Sequence, residues 1–314
     1  MKIYMVILHD IMRKIFIRRK LITLKFFVGL IRIMPHNFAL AFGKFIGRVL
    51  RLILWKTTDR CEARCVSSLG VGVTISRGII RDSFANLGMS AAEFIRLPKV
   101  ISRINELVEF PAESIDVLRS ALSRGNGAIL MCQHYANWEY AAARVIHEGF
   151  HLHAVYTPQR DKGVESVIMS TRENISHMAM IDSDTGLREI FRVLKAGEVL
   201  VIMQDLDARQ DGIPSEFLGL PARTHEGIIK LYRKFRCPII HGVHWRDIKH
   251  PSRHHIRLHG ILSDMNDING RPFGEDIPAS IRLCNEHIES LIKERPGQWL
   301  WLLDRWQYTL GKTV

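Results

Sequence analysis

His134 and Glu139 are the residues whose types and spacing first indicate chemistry, in the stretch HYANWE that follows the apolar run AILMC. A histidine acts as a base when a carboxylate accepts a hydrogen bond from one ring nitrogen and leaves the other free. Because five residues of a helix rotate by about 500°, the two side chains cannot share one helical face. We therefore place His134 in a turn and Glu139 in the first turn of the next helix, where the helix dipole favours a carboxylate. The pattern predicts a His–Glu dyad.

A second carboxylate, Asp205, ends another apolar run, VLVIMQD, which is the clearest buried strand in the chain. Ligands of open parallel sheets bind at the carboxyl ends of the strands. We therefore expect His134 and Asp205 to share a cleft. A base in such a cleft fits the activation of an alcohol or an amine, and says less about the group that is attacked.

Other chemistries have less support. The chain has no G-x-S-x-G elbow, no P-loop and no G-x-G-x-x-G, so serine hydrolysis, phosphoryl transfer and dinucleotide chemistry are disfavoured. Cys132 lies two residues before His134 and offers a Cys–His nucleophile as an alternative, although a cysteine in an apolar strand is more often inert packing. The seven histidines between His225 and His259 lack a ligand signature, and so do Cys61 and Cys65, so we expect no metal site.

Strands and helices alternate in the elements that must position these residues. Strand-like runs occur at 128–132, 151–157, 178–182, 199–205, 237–245 and 254–262, with helical patterns between most of them. This alternation predicts an α/β fold with a mostly parallel central sheet flanked by helices.

Local signals place several helix boundaries within this fold. Asn137 is a good N-cap for a helix that starts at Trp138, and Thr224 can cap the helix that follows it. Residues 59–96 predict two helical stretches joined near Gly88.

The amino-terminal segment, residues 1–58, is predicted to be a basic apolar arm that precedes a catalytic domain at 59–314. Residues 1–60 hold 13 of the 44 Lys and Arg residues but only two of the 32 acids, so the rest of the chain is nearly neutral. A nucleic-acid enzyme would carry its basic stripe on the folded domain, so we expect no nucleic-acid partner. Charges interrupt every window of about 20 residues, which argues against a spanning helix.

We predict that residues 38–54 form a helix lying on an anionic membrane surface. Lys44, Arg48 and Arg51 share one face with two glycines, and large apolar side chains occupy the other. The alternative is an amphipathic helix packed on the domain with a solvated basic face. No signal-peptide cleavage site follows the apolar run, and five cysteines at no disulfide-like spacing fit a reducing compartment, so we expect the cytoplasmic side.

Four blocks of sequence also carry a family resemblance. HYANWE resembles the H-x-x-x-x-(D/E) block of the lysophospholipid acyltransferase superfamily, in the H-x-x-N-W-E form of the bacterial lipid A late acyltransferases. Arg172 in STRENI, Gln204–Asp205 before FLGLPART, and the closing segment PGQWLWLLDRW are similar to further blocks of that family, in the same order. Two positions depart from the family pattern: Leu218 replaces a usual second aromatic, and Asp304 stands where a basic residue or histidine is frequent.

The resemblance implies an α/β acyltransferase that moves a lauroyl or myristoyl chain from acyl carrier protein, or from coenzyme A, to a hydroxyl of a lipid A precursor. No further cofactor is implied. The enzyme would work at the cytoplasmic face of the inner membrane, without an acyl-enzyme. His134 would be the base and Glu139 its orienting partner; the residues implied at the substrate are Arg172, Asp205, Asn137, Gln204, Phe217, Gly219 and Thr224. Two alternatives stay open: acylation of another acceptor, such as phosphatidylinositol mannosides or lysophospholipids, and a non-catalytic lipid-binding protein.

Overall fold

A central sheet of seven strands organises the chain in a computed structural model that describes residues 26–158, 162–173 and 178–311. All six strand-like runs of the sequence contain a strand of this sheet. The strands of the described chain, including a separate hairpin, are β1 Val108–Glu109, β2 Ala128–Cys132, β3 Leu152–Tyr156, β4 Ala179–Asp182, β5 Val199–Met203, β6 Ile213–Phe217, β7 Leu220–Thr224, β8 Ile239–Arg246 and β9 His254–Ile261.

The spatial order of the sheet is β1-β9-β8-β2-β5-β3-β4, and the five strands from β8 to β4 run parallel. Only β9 pairs antiparallel, with β8, and β1 runs parallel to β9. Strand β2 lies between β8 and β5, so the sites predicted to follow β2 and β5 meet near the middle of one edge. The α/β fold with a mostly parallel sheet is therefore confirmed.

Helices cover both faces of the sheet. A helical stretch at 26–33 precedes them, and the α-helices that follow are α1 His36–Ile53, α2 Trp55–Leu69, α3 Val73–Val100, α4 Ile104–Leu107, α5 Ala112–Leu122, α6 Trp138–His147, α7 Lys162–Glu173, α8 Leu187–Lys195, α9 Gly227–Phe235, α10 Ile277–Glu294 and α11 Gln307–Leu310. Within the described ranges, no helix is both long enough and apolar enough to cross a membrane.

Helix α3 runs unbroken through Gly88, so the predicted junction at that residue is wrong; the break falls at 70–72. Gly88 serves a close approach between helices. A Cβ placed on Gly88 would lie 2.0 Å from the carbonyl oxygen of Gly43, and one on Gly47 would lie 2.0 Å from that of Phe84. Because these glycines carry no side chain, α1 can pack closely on α3. Residues of the amino-terminal segment therefore pack on the helices of the α/β fold.

The hairpin of β6 and β7 is formed by the block FLGLPART. Leu218 and Gly219 connect the two strands with φ values of 48° and 74°, and two positive φ values are the requirement of a type I′ hairpin turn. Thr224 ends β7, and its hydroxyl contacts Ser215 and Arg305. The prediction that Thr224 caps the following helix is therefore wrong, because strand pairing uses its backbone and the hairpin uses its side chain.

Candidate active site

His134 and Asp205 meet because of strand register. Cys132 and Met203 are paired at the ends of β2 and β5, and His134 and Asp205 each lie two residues beyond that pair. His134 Nδ1 and Asp205 Oδ1 are 2.9 Å apart, and Oδ2 accepts the His134 backbone N–H at 2.8 Å. The predicted proximity of His134 and Asp205 is confirmed, although Asp205 is buried behind the histidine and does not itself line the cavity.

Asp205 is 1% exposed, and its surroundings favour the ionised carboxylate. Burial opposes its charge, but the nearby His134 ring and the donated hydrogen bonds hold the pKa of this carboxyl below its usual value. The third donor is the indole N–H of Trp299, at 2.9 Å from Oδ2. An ionised carboxylate can only accept, so the proton of the His134 ring sits on Nδ1 and the lone pair on Nε2.

The hydrogen bond that we expected between His134 and Glu139 is not formed, although the structure describes both residues. Glu139 instead accepts from Arg172 on α7, with Nη2 at 2.7 Å and Nε at 3.3 Å from Oε1. The reason is geometric: the strand register brings Asp205 directly beside the imidazole, whereas a turn separates Glu139 from it. Glu139 Oε2 is buried and has no hydrogen-bond partner in the protein.

The turn that carries His134 is held at several backbone atoms. Ala136 has a φ of 44°, a left-handed conformation that is uncommon for a residue with a Cβ. Its carbonyl accepts from Ser90 Oγ at 2.9 Å, and the Tyr135 carbonyl lies 2.6 Å from His244 Nε2. The carbonyl of His134 itself accepts from the Leu300 backbone at 3.0 Å. Contacts from α3, β8 and the closing segment therefore hold the turn that carries the His134 side chain.

Beside this turn, Asn137 caps α6 as predicted: its Oδ1 accepts from the Tyr140 backbone at 3.1 Å. Its Nδ2 donates to Glu93 Oε2 at 2.8 Å. Asn137 is buried, so both ends of its amide are occupied by the protein.

A cavity of about 840 Å³ opens in front of His134. That volume is in the range of small-molecule sites, roughly 300–1,000 Å³. Glu139, Arg172 and Gln204 also line it, together with many Leu, Ile, Val and Met side chains. The arrangement places the His134 ring and the paired Arg172 guanidinium at the wall of a largely apolar space.

The remaining predicted site residues lie away from this cavity. Phe217 is fully buried and packs against Trp299 and Trp306, and Gly219 and Thr224 belong to the hairpin. Like Asn137, these residues pack around the site without lining the cavity. The three tryptophans of the closing segment are core residues: Trp299, Trp301 and Trp306.

Sequence reasoning missed two kinds of partner. The bond from Trp299 to Asp205 had one available signal, the place of this tryptophan in the closing block. The ion pair of Glu93 with Arg246 behind the turn had none, because the residues are separated by 153 positions.

Cys132 lines the cavity, but burial raises the pKa of its thiol to about 12, with a further increase from Asp205. A thiol with that pKa stays protonated at neutral pH, which disfavours the Cys–His alternative. Among the residues described, no group of three or more His, Cys, Asp or Glu side chains is arranged to hold a metal.

Comparison with known proteins places these residues in a family. The sequence profile of the bacterial lipid A biosynthesis acyltransferases matches residues 17–308. The chain belongs to this acyltransferase family. A lipid A biosynthesis acyltransferase of Haemophilus influenzae is 22% identical over 212 residues, which are 67% of this chain and 61% of that protein. The matched part of the chain thus spans less than two thirds of this curated relative.

The family match includes both His134 and the closing segment, and with them the departures at Leu218 and Asp304. Leu218 occupies the hairpin turn and is buried. Asp304 forms ion pairs with Arg60 at 3.2 Å and Arg64 at 3.6 Å, so in this acyltransferase-family chain it joins the last segment to α2.

Proposed function

We propose that this protein transfers a fatty acyl group from a thioester donor to a hydroxyl of a lipid A precursor, with His134 as general base. The observation that carries the proposal is the hydrogen bond of 2.9 Å between His134 Nδ1 and Asp205, which leaves Nε2 available at the wall of an apolar cavity. Membership of the lipid A acyltransferase family supports the acyl transfer and the lipid acceptor.

The reaction needs one proton carrier. Nε2 of His134 takes the proton of the acceptor hydroxyl as its oxygen attacks the thioester carbonyl, and Asp205 stabilises the imidazolium that forms. When the tetrahedral intermediate collapses, the carbon–sulfur bond breaks and Nε2 returns the proton to the leaving thiolate. The products are an ester and a thiol, and no enzyme residue is acylated.

Glu139 then has a different role from the expected one of orienting His134. Its carboxylate holds the Arg172 guanidinium at the cavity wall through the bonds described above. A guanidinium fixed there suits an oxyanion or another anionic group of the substrates, because a positioned cation stabilises negative charge in a dry site.

His134→Ala is the test, with His147→Ala as a matched control. His147 is an exposed histidine at the far end of α6. Loss of a general base lowers the rate about 10²- to 10⁴-fold, so we expect that loss in kcat for His134→Ala alone, with both variants melting near the wild-type Tm. Labelled acyl carrier protein thioester and lipid A precursor are the substrates. A His134→Ala enzyme of normal rate would overturn the mechanism; a folded wild type that transfers no chain to any lipid acceptor would instead favour a lipid-binding protein.

The donor and the acceptor are proposed on the same basis. We expect acyl carrier protein to be the better donor than coenzyme A, and lipid A precursor to be preferred to phosphatidylinositol mannosides or lysophospholipids. Competition between the two thioesters, and between the acceptors, in one mixture measures both preferences. Preference for a glycerolipid acceptor would reassign the substrate and leave the chemistry intact.

Helix α1 is the segment proposed to contact the inner membrane from its cytoplasmic face. Its glycines face α3, while Phe45 and Leu52 are 60% and 69% exposed, and Lys44 and Arg48 are exposed beside them. Apolar side chains flanked by cations are typical of a helix at an anionic lipid surface. The helix packs on the domain, as one of the two alternatives raised by the sequence expects, and its exposed apolar strip supports the proposed membrane contact.

Arg51 differs from its neighbours because it is paired with Glu62 at 2.9 Å. Lys44→Gln with Arg48→Gln should therefore release the protein from anionic vesicles, at about 1 kcal/mol per lost cation. Arg51→Gln is the control and should change vesicle binding less. Equal release by both variants would contradict this orientation of the helix.

A further inference from the structure

The cavity contacts both faces of the central sheet. Consecutive residues of three strands of the sheet line it: Ala154 and Val155 in β3, Val201 and Ile202 in β5, and Gly242 and Val243 in β8. Consecutive side chains of a strand point to opposite faces. The cavity therefore wraps around the carboxyl edge of the sheet, and His134 and Asp205 stand at that edge.

One part of the cavity, which we name the α6 lobe, lies between the sheet and α6. It is lined by Leu130, Ala141, Ala142, Val201, Ile256 and Leu258. The alanines leave room on the helix side, and the described lining of this lobe away from the carboxyl edge is apolar. The α6 lobe therefore suits a hydrocarbon chain without charge.

The other part, the α9 lobe, lies on the opposite face, between the sheet and helices α8 and α9. It is lined by Ile190, Phe191, Ile202, Ile228 and Leu231, with Lys230 and Lys234 at its rim. Lys234 Nζ lies 4.0 Å from the centroid of the Phe191 ring, and Lys230 is paired with Glu226 at 2.6 Å. Two cations beside an apolar wall suit an amphiphile that has both a hydrocarbon chain and an anionic group.

We infer that the two lobes hold two different chains during one turnover: the α6 lobe takes the acyl chain of the donor, and the α9 lobe takes a chain of the acceptor lipid. This inference rests on the proposed function. The acceptor would present its anionic group to Lys230 and Lys234 and its hydroxyl to His134 at the edge, while the thioester carbonyl reaches the same point from the other face. Separate chain sites remove competition between the two substrates for one groove.

The test uses two substitutions that add the same side chain to opposite lobes. Ala142→Leu narrows the α6 lobe. Gly227→Leu adds a side chain to the α9 lobe at the first residue of α9. A Cβ at this position would meet no atom within 4 Å, so the fold should tolerate the substitution. Each variant is assayed as the full-length protein with a series of donor chain lengths, and separately with lipid acceptors that carry one headgroup and different chains. Tm controls for folding.

We expect Ala142→Leu to move the preferred donor to a shorter chain and leave the KM for acceptor within about twofold. Gly227→Leu should raise the acceptor KM about tenfold, the effect of crowding in an apolar pocket, with the donor preference unchanged. Both variants altering the donor preference, or the opposite pattern, would overturn the assignment. If the wild type transfers no chain at all, the proposed function fails instead.

A second arm separates two sources of the anionic group, because the phosphodiester of a carrier-protein thioester is also anionic. Lys230→Gln with Lys234→Gln should raise the KM for a phosphorylated acceptor and change little with an acceptor that lacks phosphate. If the double variant instead raises the KM for the carrier-protein donor and not for the acceptor, the α9 lobe belongs to the donor and the inference is wrong.

Discussion

Two buried carboxylates, Asp205 and Glu93, contact the turn that carries His134, and each is 1% exposed. The partners of Asp205 are the His134 ring, a backbone N–H and an indole N–H, none of which carries a permanent charge. Glu93 instead faces the guanidinium of Arg246, at 2.6 and 2.8 Å, and the ring of His254 at 3.1 Å.

The difference explains what each carboxylate can do. Glu93 is neutralised within the protein and, through Asn137, joins α3 to the start of α6. Asp205 has no permanently charged partner among these groups, and it contacts the imidazole at the wall of the cavity. In the proposed mechanism Asp205 therefore supports the reaction, whereas Glu93 stabilises the turn.

The largest effect that separates these roles is expected for Asp205→Asn. The amide carries no charge to stabilise the imidazolium and can leave the ring in the wrong tautomer, so kcat should fall by about 10³- to 10⁴-fold. The bond from Trp299 can still be accepted, so the Tm should change little. Measured kcat and a melting curve test this pair of outcomes. A strong loss of stability with a normal kcat in the folded fraction would reverse the comparison.

Glu93→Gln should affect stability first. Breaking one partner out of a buried ion pair costs about 3–5 kcal/mol, because the other charge stays buried and uncompensated. The double variant Glu93→Gln with Arg246→Met should recover part of this loss. Urea unfolding of the single and double variants measures both. If the single variant unfolds like the wild type but is inactive, Glu93 has a role in the reaction, contrary to its burial away from the cavity.

As the pH falls, two buried histidines, His241 and His244, should lower the free energy of unfolding before the buried carboxylates do. Burial lowers the pKa of His244 to about 4 and that of His241 to about 3. Between the ordinary histidine pKa and those values, each of these two side chains binds a proton in the unfolded chain but not in the folded chain, so the free energy of unfolding falls as pH falls. Burial also lowers the pKa of other histidines, which adds to the same trend: His36, His225, His254 and His287. We expect a loss of about 2–3 kcal/mol per pH unit between roughly pH 6 and 4.

His241→Asn should reduce the slope of that pH dependence by about 1.4 kcal/mol per pH unit, because one proton is removed from the balance. Urea unfolding at several pH values measures the slope. The pKa values of Glu93 and Asp205 are also lowered, so these carboxylates lose their stabilising effect as the pH falls, but at a more acidic pH than the histidines. A stability that stays constant down to pH 4 would contradict the buried, neutral state of His241 and His244.

The smallest effect is expected for Cys132→Ala. The thiol lines the cavity without a role in proton transfer, so kcat should stay within about twofold of wild type. Treatment with an alkylating thioester analogue followed by mass spectrometry should find no adduct on this residue. An inactive Cys132→Ala enzyme with a trapped acyl thioester would replace the base mechanism by a nucleophilic one.

Local pattern was enough to determine much of this protein. The runs AILMC and VLVIMQD are strands, His134 lies in a turn at the carboxyl edge with Asp205 close by, and Asn137 caps the helix that follows. These features depend on periodicity, capping and chain breaks, all of which are encoded within a few neighbouring residues.

Tertiary structure alone decided which carboxylate serves His134. The choice between Glu139 and Asp205 depends on β2 pairing with β5 in one register, and Glu139 is drawn to Arg172 on a helix that no local pattern brings there. The unbroken passage of α3 through Gly88 likewise depends on the arrival of α1. Contacts between distant segments are set by how whole elements pack, so a sequence window that predicts each element correctly still does not contain its partner.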